Sequence, residues 1–130
     1  MSQAHNTLRR QGIVLFGHGA RDPAWAGPMQ RMAARMAQSA PHVPVRLAFL
    51  EFMTPTLAAA IDDMVANGVD AIRIVPVFLA QGGHLKRDVP ELVAGVAECH
   101  PGVAIDLSPA AGEAPAVVDA IATYALEGID

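Results

Sequence analysis

Two short segments of this chain repeat one pattern of chemically capable residues. Gly17-His18-Gly19-Ala20-Arg21-Asp22-Pro23 and Gly83-His84-Leu85-Lys86-Arg87-Asp88-Val89-Pro90 both contain His-x-x-Arg-Asp, and each follows an apolar run. An imidazole can ligate a metal ion, move a proton or act as a nucleophile. The cations Arg21, Lys86 and Arg87 beside the two histidines favour an anionic small ligand, and arginine grips carboxylates through paired hydrogen bonds. Glu51 stands just beyond a third apolar run. Loops leaving the carboxyl ends of neighbouring parallel strands converge on one crevice, so His18, Glu51 and His84 are expected on a common edge. Two imidazoles and a carboxylate suit a divalent ion of borderline softness such as cobalt, nickel, iron or zinc. The plainer alternatives are a histidine hydrogen-bonded within a glycine turn, and a solvated face with Arg21 paired to Asp22 and Arg87 to Asp88, pairs that contribute little when exposed.

The elements that would position these residues alternate along the chain. Ile13-Val14-Leu15-Phe16, closed by glycines, has the continuous apolar character of a strand buried on both faces. Asp22-Pro23 then opens a helix carrying Trp25, Met29, Met32, Ala33 and Met36 at helical spacing, read as a core-facing stripe. Val43 to Phe49 forms the second strand, with Glu51 at its carboxyl end. Thr54-Pro55 caps a helix through Leu57, Ile61, Met64 and Val65, which stops at Asn67-Gly68. Ala71 to Phe78 is the third strand. Leu79 to Val89 is expected to be a functional loop, with Pro90 opening a helix through Leu92, Val93 and Val96. Val103 to Leu107 gives the fourth strand, and Glu113 to Glu127 the last helix. Strands alternating with helices imply parallel pairing through right-handed crossovers, hence a three-layer α/β/α domain around a four-stranded parallel sheet. Residues 1–11 read as a flexible leader and 12–130 as that single domain.

Composition narrows the function. The chain has 130 residues, 52% of them hydrophobic and 17% charged, a balance that points to a surface partly covered by another subunit. A formal net charge of -4, without a basic run interleaved with aromatics, argues against nucleic acid. The single cysteine, Cys99, forms no intramolecular disulfide, no signal peptide or membrane-spanning stretch is evident, and a cytoplasmic location is expected. Gly17-x-Gly19 lacks the third glycine of a dinucleotide loop, where Asp22 stands instead, and no Gly-Lys-Ser or Gly-Lys-Thr occurs, so no nucleotide cofactor is expected. His5, His42, Cys99 and His100 are too scattered to suggest a second metal site.

Three segments taken together, Leu15 to Pro23, Ala48-Phe49-Leu50-Glu51 and Pro76 to Pro90, resemble the signature of the short sirohydrochlorin chelatases of the class II chelatase family. The resemblance runs from Gly12 to about Leu126, with Ala20 standing where members often carry serine. It implies a chelatase half-domain that pairs into a homodimer, reproducing the two-lobed form that longer members build in one chain. It also implies insertion of a divalent metal into sirohydrochlorin, cobalt leading to cobalamin, iron to sirohaem and nickel to the methanogenic tetrapyrrole. His18 and His84 would then be metal-binding and Glu51 their acidic partner. Insertion releases two protons from the macrocycle, which a carboxylate or neutral imidazole can accept. Arg21, Lys86 and Arg87 become candidates for the tetrapyrrole carboxylates, and Phe52, Phe78 and Leu85 for its apolar support. Two other readings remain open at this level: a histidine phosphocarrier, which needs neither Glu51 nor His84, and a noncatalytic cobalt or nickel carrier.

Overall fold

The computed structural model describes residues 9–130. At its centre lies a four-stranded sheet in the order β2-β1-β3-β4, all parallel, with β1 at Gln11–Gly17, β2 at Val45–Phe49, β3 at Ala71–Pro76 and β4 at Ala104–Leu107. Helices α1 (Gly27–Ser39), α2 (Leu57–Ala66), α3 (Gly83–Glu98) and α4 (Pro115–Leu126) alternate with the strands, the α/β arrangement that the sequence pattern predicts. Successive strand residues point to opposite faces. Val14 and Phe16 of β1 and Ile72 and Ile74 of β3 meet Leu57, Ile61 and Met64 of α2 and Val89, Val93 and Val96 of α3. On the other face Leu15 and Phe49 pack with Met29 of α1, joined by Ile13, Val45 and Leu47. The step from β1 to β2 runs opposite to those from β2 to β3 and β3 to β4, so right-handed crossovers send α1 to one face and α2 and α3 to the other. Helix α4 contributes no buried residue.

Several boundaries differ from the expectation, each for a local reason. Pro23–Ala26 is a 3-10 turn rather than the first turn of α1, and Trp25 consequently leaves the core-facing stripe and stands 69% exposed. Met29 is buried and Met36 half-buried as the stripe predicts, whereas Met32 is exposed. The cap of α2 is Thr56 rather than Thr54, its hydroxyl accepting from the Ala59 amide at 3.2 Å. Thr54 and Pro55 are kept out of the helix because the Phe49 amide donates to the Pro55 carbonyl at 2.9 Å. The expected loop before Pro90 is largely helical: α3 begins at Gly83, the Lys86 amide donating to the Gly82 carbonyl at 3.0 Å. Leu85 packs on the same core as Val89 and Val93, so the apolar stripe reaches back a full turn ahead of Pro90. Proline within that helix removes one amide donor, toward Lys86. The strand ends at Pro76 rather than Phe78.

The leader expected over residues 1–11 falls, for 1–8 and with them His5, outside the described residues. Its last part is tied to the domain: the Arg10 amide donates to the Asp70 carboxylate at 2.8 Å, Arg9 reaches the Asp70 carbonyl at 3.1 Å, and Gln11 already belongs to β1. Among the described residues no helix is long and apolar enough to cross a membrane.

Candidate functional site

The site is built where the buried strands β1 and β2 run out into solvent. Beyond β1, the pairing with β2 continues as the Leu50 amide donates to the Gly17 carbonyl at 2.9 Å and the Glu51 amide to the His18 carbonyl at 3.1 Å. The two loops therefore leave the sheet side by side. Gly17 admits the Met29 side chain into the space where a Cβ would sit. Gly19 adopts a φ of +93°, and a Cβ there would collide with the Glu51 carbonyl oxygen, so only glycine lets the loops approach this closely. Asp22 does not pair with Arg21; its carboxylate accepts from the Ala24 amide at 2.9 Å and caps the 3-10 turn, with Pro23 behind it.

This backbone lock brings the His18 Nε2 and a Glu51 carboxylate oxygen to 3.0 Å. Both side chains are about half exposed, at 51% and 48%, so the pair faces solvent and incoming ligand. The Phe78 ring stands edge-on to the imidazole, centroids 6.1 Å apart, and itself leans on Phe16. A chain of aromatic contact thus runs from core to imidazole. Phe52, with a left-handed φ of 68°, turns its ring under Arg21, whose guanidinium carbon lies 4.8 Å from the ring centroid. Such stacking orients the guanidinium while leaving its edges free to donate.

Beside the pair opens a cleft of about 400 Å³ lined by His18, Gly19, Ala20, Trp25, Met29, Phe49 and Met53. Trp25 and Met53 are the members that sequence reasoning missed. Helical spacing assigns Trp25 to the core-facing stripe, although its place three residues after Asp22, on the same edge as His18, is a usable signal for the site. Of the apolar residues expected to support a ligand, Phe52 is 58% exposed, while Phe78 and Leu85 are partly buried against the core.

His84, Lys86 and Arg87 are exposed on the opening turns of α3, which starts after β3 at the same edge of the sheet. The fold brings His18 and Glu51 into contact and leaves His84 outside that contact. Among the described residues, no three of His, Cys, Asp and Glu are gathered so as to hold a metal ion. The ion pairs there are His18 with Glu51, Arg46 with Asp63 and His100 with Asp62; Arg21, Lys86 and Arg87 are not among them. The plain reading of Arg21 and Arg87 as partners of the adjacent aspartates is thus not what the structure has.

Comparison with known proteins places this geometry in context. A family model described as CbiX matches residues 12–127. The chain is 37% identical over 89 residues to a sirohydrochlorin cobaltochelatase of Methanococcus aeolicus, covering 68% of this chain and 62% of that protein, so less than two thirds of the relative is represented. Among solved structures, a CbiX protein from Marinobacter aquaeolei is 30% identical with a TM-score of 0.79, covering 90% of this chain and 95% of that one. The sirohydrochlorin chelatase SirB of Bacillus subtilis subspecies spizizenii, in complex with cobalt, is 32% identical with a TM-score of 0.67. That match covers 88% of this chain but only 49% of SirB.

Proposed function

The chain belongs to the CbiX family, and from that premise we propose that it inserts a divalent metal ion, cobalt first among the candidates, into sirohydrochlorin without a nucleotide. The observation that carries the reading is the His18–Glu51 pair, held at 3.0 Å by hydrogen-bonded loops and opening onto an apolar cleft. Two ligands lying cis on one ion at ~2.1 Å are separated by ~3.0 Å, so imidazole and carboxylate already have the spacing an arriving ion requires. Two protein ligands leave most of its coordination positions to water and to pyrrole nitrogens. A site that must release its metal needs such openness, where a closed four-ligand site would retain it.

The reaction exchanges two pyrrole protons for one divalent ion. Glu51 and His18, once the ion departs toward the macrocycle, have free lone pairs to accept those protons. His84, apart from the pair on α3, serves in this reading as a further ligand along the ion's path. Arg21, steadied on Phe52, and the exposed cations Lys86 and Arg87 meet carboxylates of the macrocycle, and Trp25, Met53 and Phe52 receive its apolar face. Two copies of the chain supply the two lobes, consistent with one chain matching about half of SirB. The CbiX match does not favour the phosphocarrier alternative.

Anaerobic absorbance of the protein mixed with sirohydrochlorin and Co²⁺, Fe²⁺ or Ni²⁺ tests the proposal. Insertion should outpace the metal-only background with at least one ion, and His18→Ala and His84→Ala should lose most of that acceleration. Folded protein that accelerates no metal would contradict the chelatase reading, and cobalt binding without insertion would support the carrier instead.

A further inference from the structure

One aromatic ring ties the imidazole of the site to the buried core. Phe78 follows β3 and is half-buried against the core that holds Val14, Phe16 and Ile74. Its ring centroid lies 6.1 Å from that of Phe16, with the planes at 55°, and 6.1 Å from that of the His18 imidazole, with the planes at 63°. Phe16 is itself fully buried. The backbone around Phe78 is fixed as well. The Val77 amide donates to the Phe16 carbonyl at 2.8 Å, and the Gly112 amide donates to the Phe78 carbonyl at 2.9 Å. A Cβ on Gly112 would collide with the Leu79 backbone, so the chain just beyond Phe78 is closely packed too. Phe78 is not among the residues that line the cleft, whereas Trp25 and Met53 are.

The imidazole needs such a support. A histidine that holds a metal ion is ordinarily oriented by a hydrogen bond from its second ring nitrogen. Among the described residues the His18 ring has one hydrogen-bond partner, the Glu51 carboxylate, and that bond uses Nε2. When an ion takes Nε2 and the carboxylate together, the proton between them passes to solvent and the hydrogen bond goes with it. The contact with Phe78 engages neither the Nε2 lone pair nor the carboxylate, so it persists through that exchange.

We propose that Phe78 is a positioning residue for His18, its ring fixing the plane in which the imidazole presents Nε2 to Glu51 and then to the ion. Phe78 acts through His18 and not by touching the macrocycle, which separates its role from that of Phe52, Trp25 and Met53 and replaces the apolar support expected of it from the sequence. The inference rests on the proposed function for the identity of the ion and the macrocycle.

Two substitutions test it, with urea unfolding to establish that each variant folds. Phe78→Leu keeps apolar volume against the core but loses the flat ring, and Phe78→Tyr keeps the ring. The first readout is titration of the full chain with Co²⁺ alone, and the second is kcat and KM for sirohydrochlorin. Phe78→Leu should weaken Co²⁺ binding and lower kcat by about 10–100-fold, the loss usual for groups that orient a metal-binding histidine, with KM unchanged. Phe78→Tyr should restore both. In a His18→Ala background, Phe78→Leu should weaken Co²⁺ binding no further. A Phe78→Leu chain with raised KM but unaltered kcat and Co²⁺ binding would overturn the inference and make Phe78 a macrocycle contact. An equal loss of Co²⁺ binding with and without His18 would also overturn it, since the ring would then act on the domain at large. A chain that binds Co²⁺ and inserts none would sink the insertion reading alone, and the cobalt titration would still decide the role of Phe78. An unmodified chain that binds no Co²⁺ would overturn both.

Discussion

On the β1–β2 side of the sheet both faces are covered, α1 packing on one and α2 on the other, and every residue of β1 from Val14 to Gly17 is buried. On the β3–β4 side α3 covers one face, while the other presents Arg73 and Asp106 to solvent and α4 buries nothing. The pair that defines the candidate site stands at the finished end. That placement follows from what a site needs: a 3.0 Å contact between side chains on different loops survives only if the strands beneath cannot shift. An interaction surface has the opposite requirement, since its apolar groups must stay available until the partner arrives.

If the finished side owes its rigidity to packing, removing volume there should cost most. Ile61 of α2, the helix that covers one face of the β1–β2 side, is fully buried in the core with Val14 and Phe16, and Ile61→Ala should lower stability by about 2–5 kcal/mol in urea unfolding. Next comes the loop lock. Gly19→Ala forces a Cβ into the Glu51 carbonyl at a positive φ and should cost about 1–3 kcal/mol. It should also reduce metal insertion by roughly 100-fold, since small misplacement of reacting groups is expensive. Thr56→Ala removes the cap of α2 and should cost about 1 kcal/mol in the same unfolding measurement. The smallest effect belongs to the open side: Ile121→Ala, measured at a concentration where the chain is monomeric, should change stability by less than about 0.5 kcal/mol. A large loss there would show that α4 packs on its own chain and would erase the contrast between the two sides.

Much of this contrast was legible in the sequence, and the parts that were not share a physical cause. The apolar run Ile13 to Phe16, the Asp22-Pro23 cap, which opens a 3-10 turn rather than α1 itself, and the Asn67-Gly68 stop declare themselves because glycine, proline and continuous apolar character act locally. The start of α3 at Gly83 is hidden because Pro90 is a strong local signal for a helix start, whereas the packing of Leu85 into the core that extends the helix backwards is tertiary. Trp25 departs from the expected stripe for a related reason: helical spacing cannot distinguish a 3-10 turn from the first turn of an α-helix. His18 and Glu51 were correctly placed on one edge by topology, but their direct contact depends on the left-handed turn at Gly19, which spacing does not encode. The apolar stripe of α4 is visible from Val117 to Ala125, and its lack of a buried residue among the described residues is not, because an apolar stripe reports a face to be buried and never what buries it.

His18 and Glu51 should act as one unit, which a double-mutant cycle on the rate of cobalt insertion into sirohydrochlorin tests most directly. His18→Ala and Glu51→Gln should each lower the rate by about 100-fold or more, with the double variant little worse than either. Losses that simply multiply, or a Glu51→Gln chain as active as the unmodified protein, would show that the 3.0 Å contact is only structural.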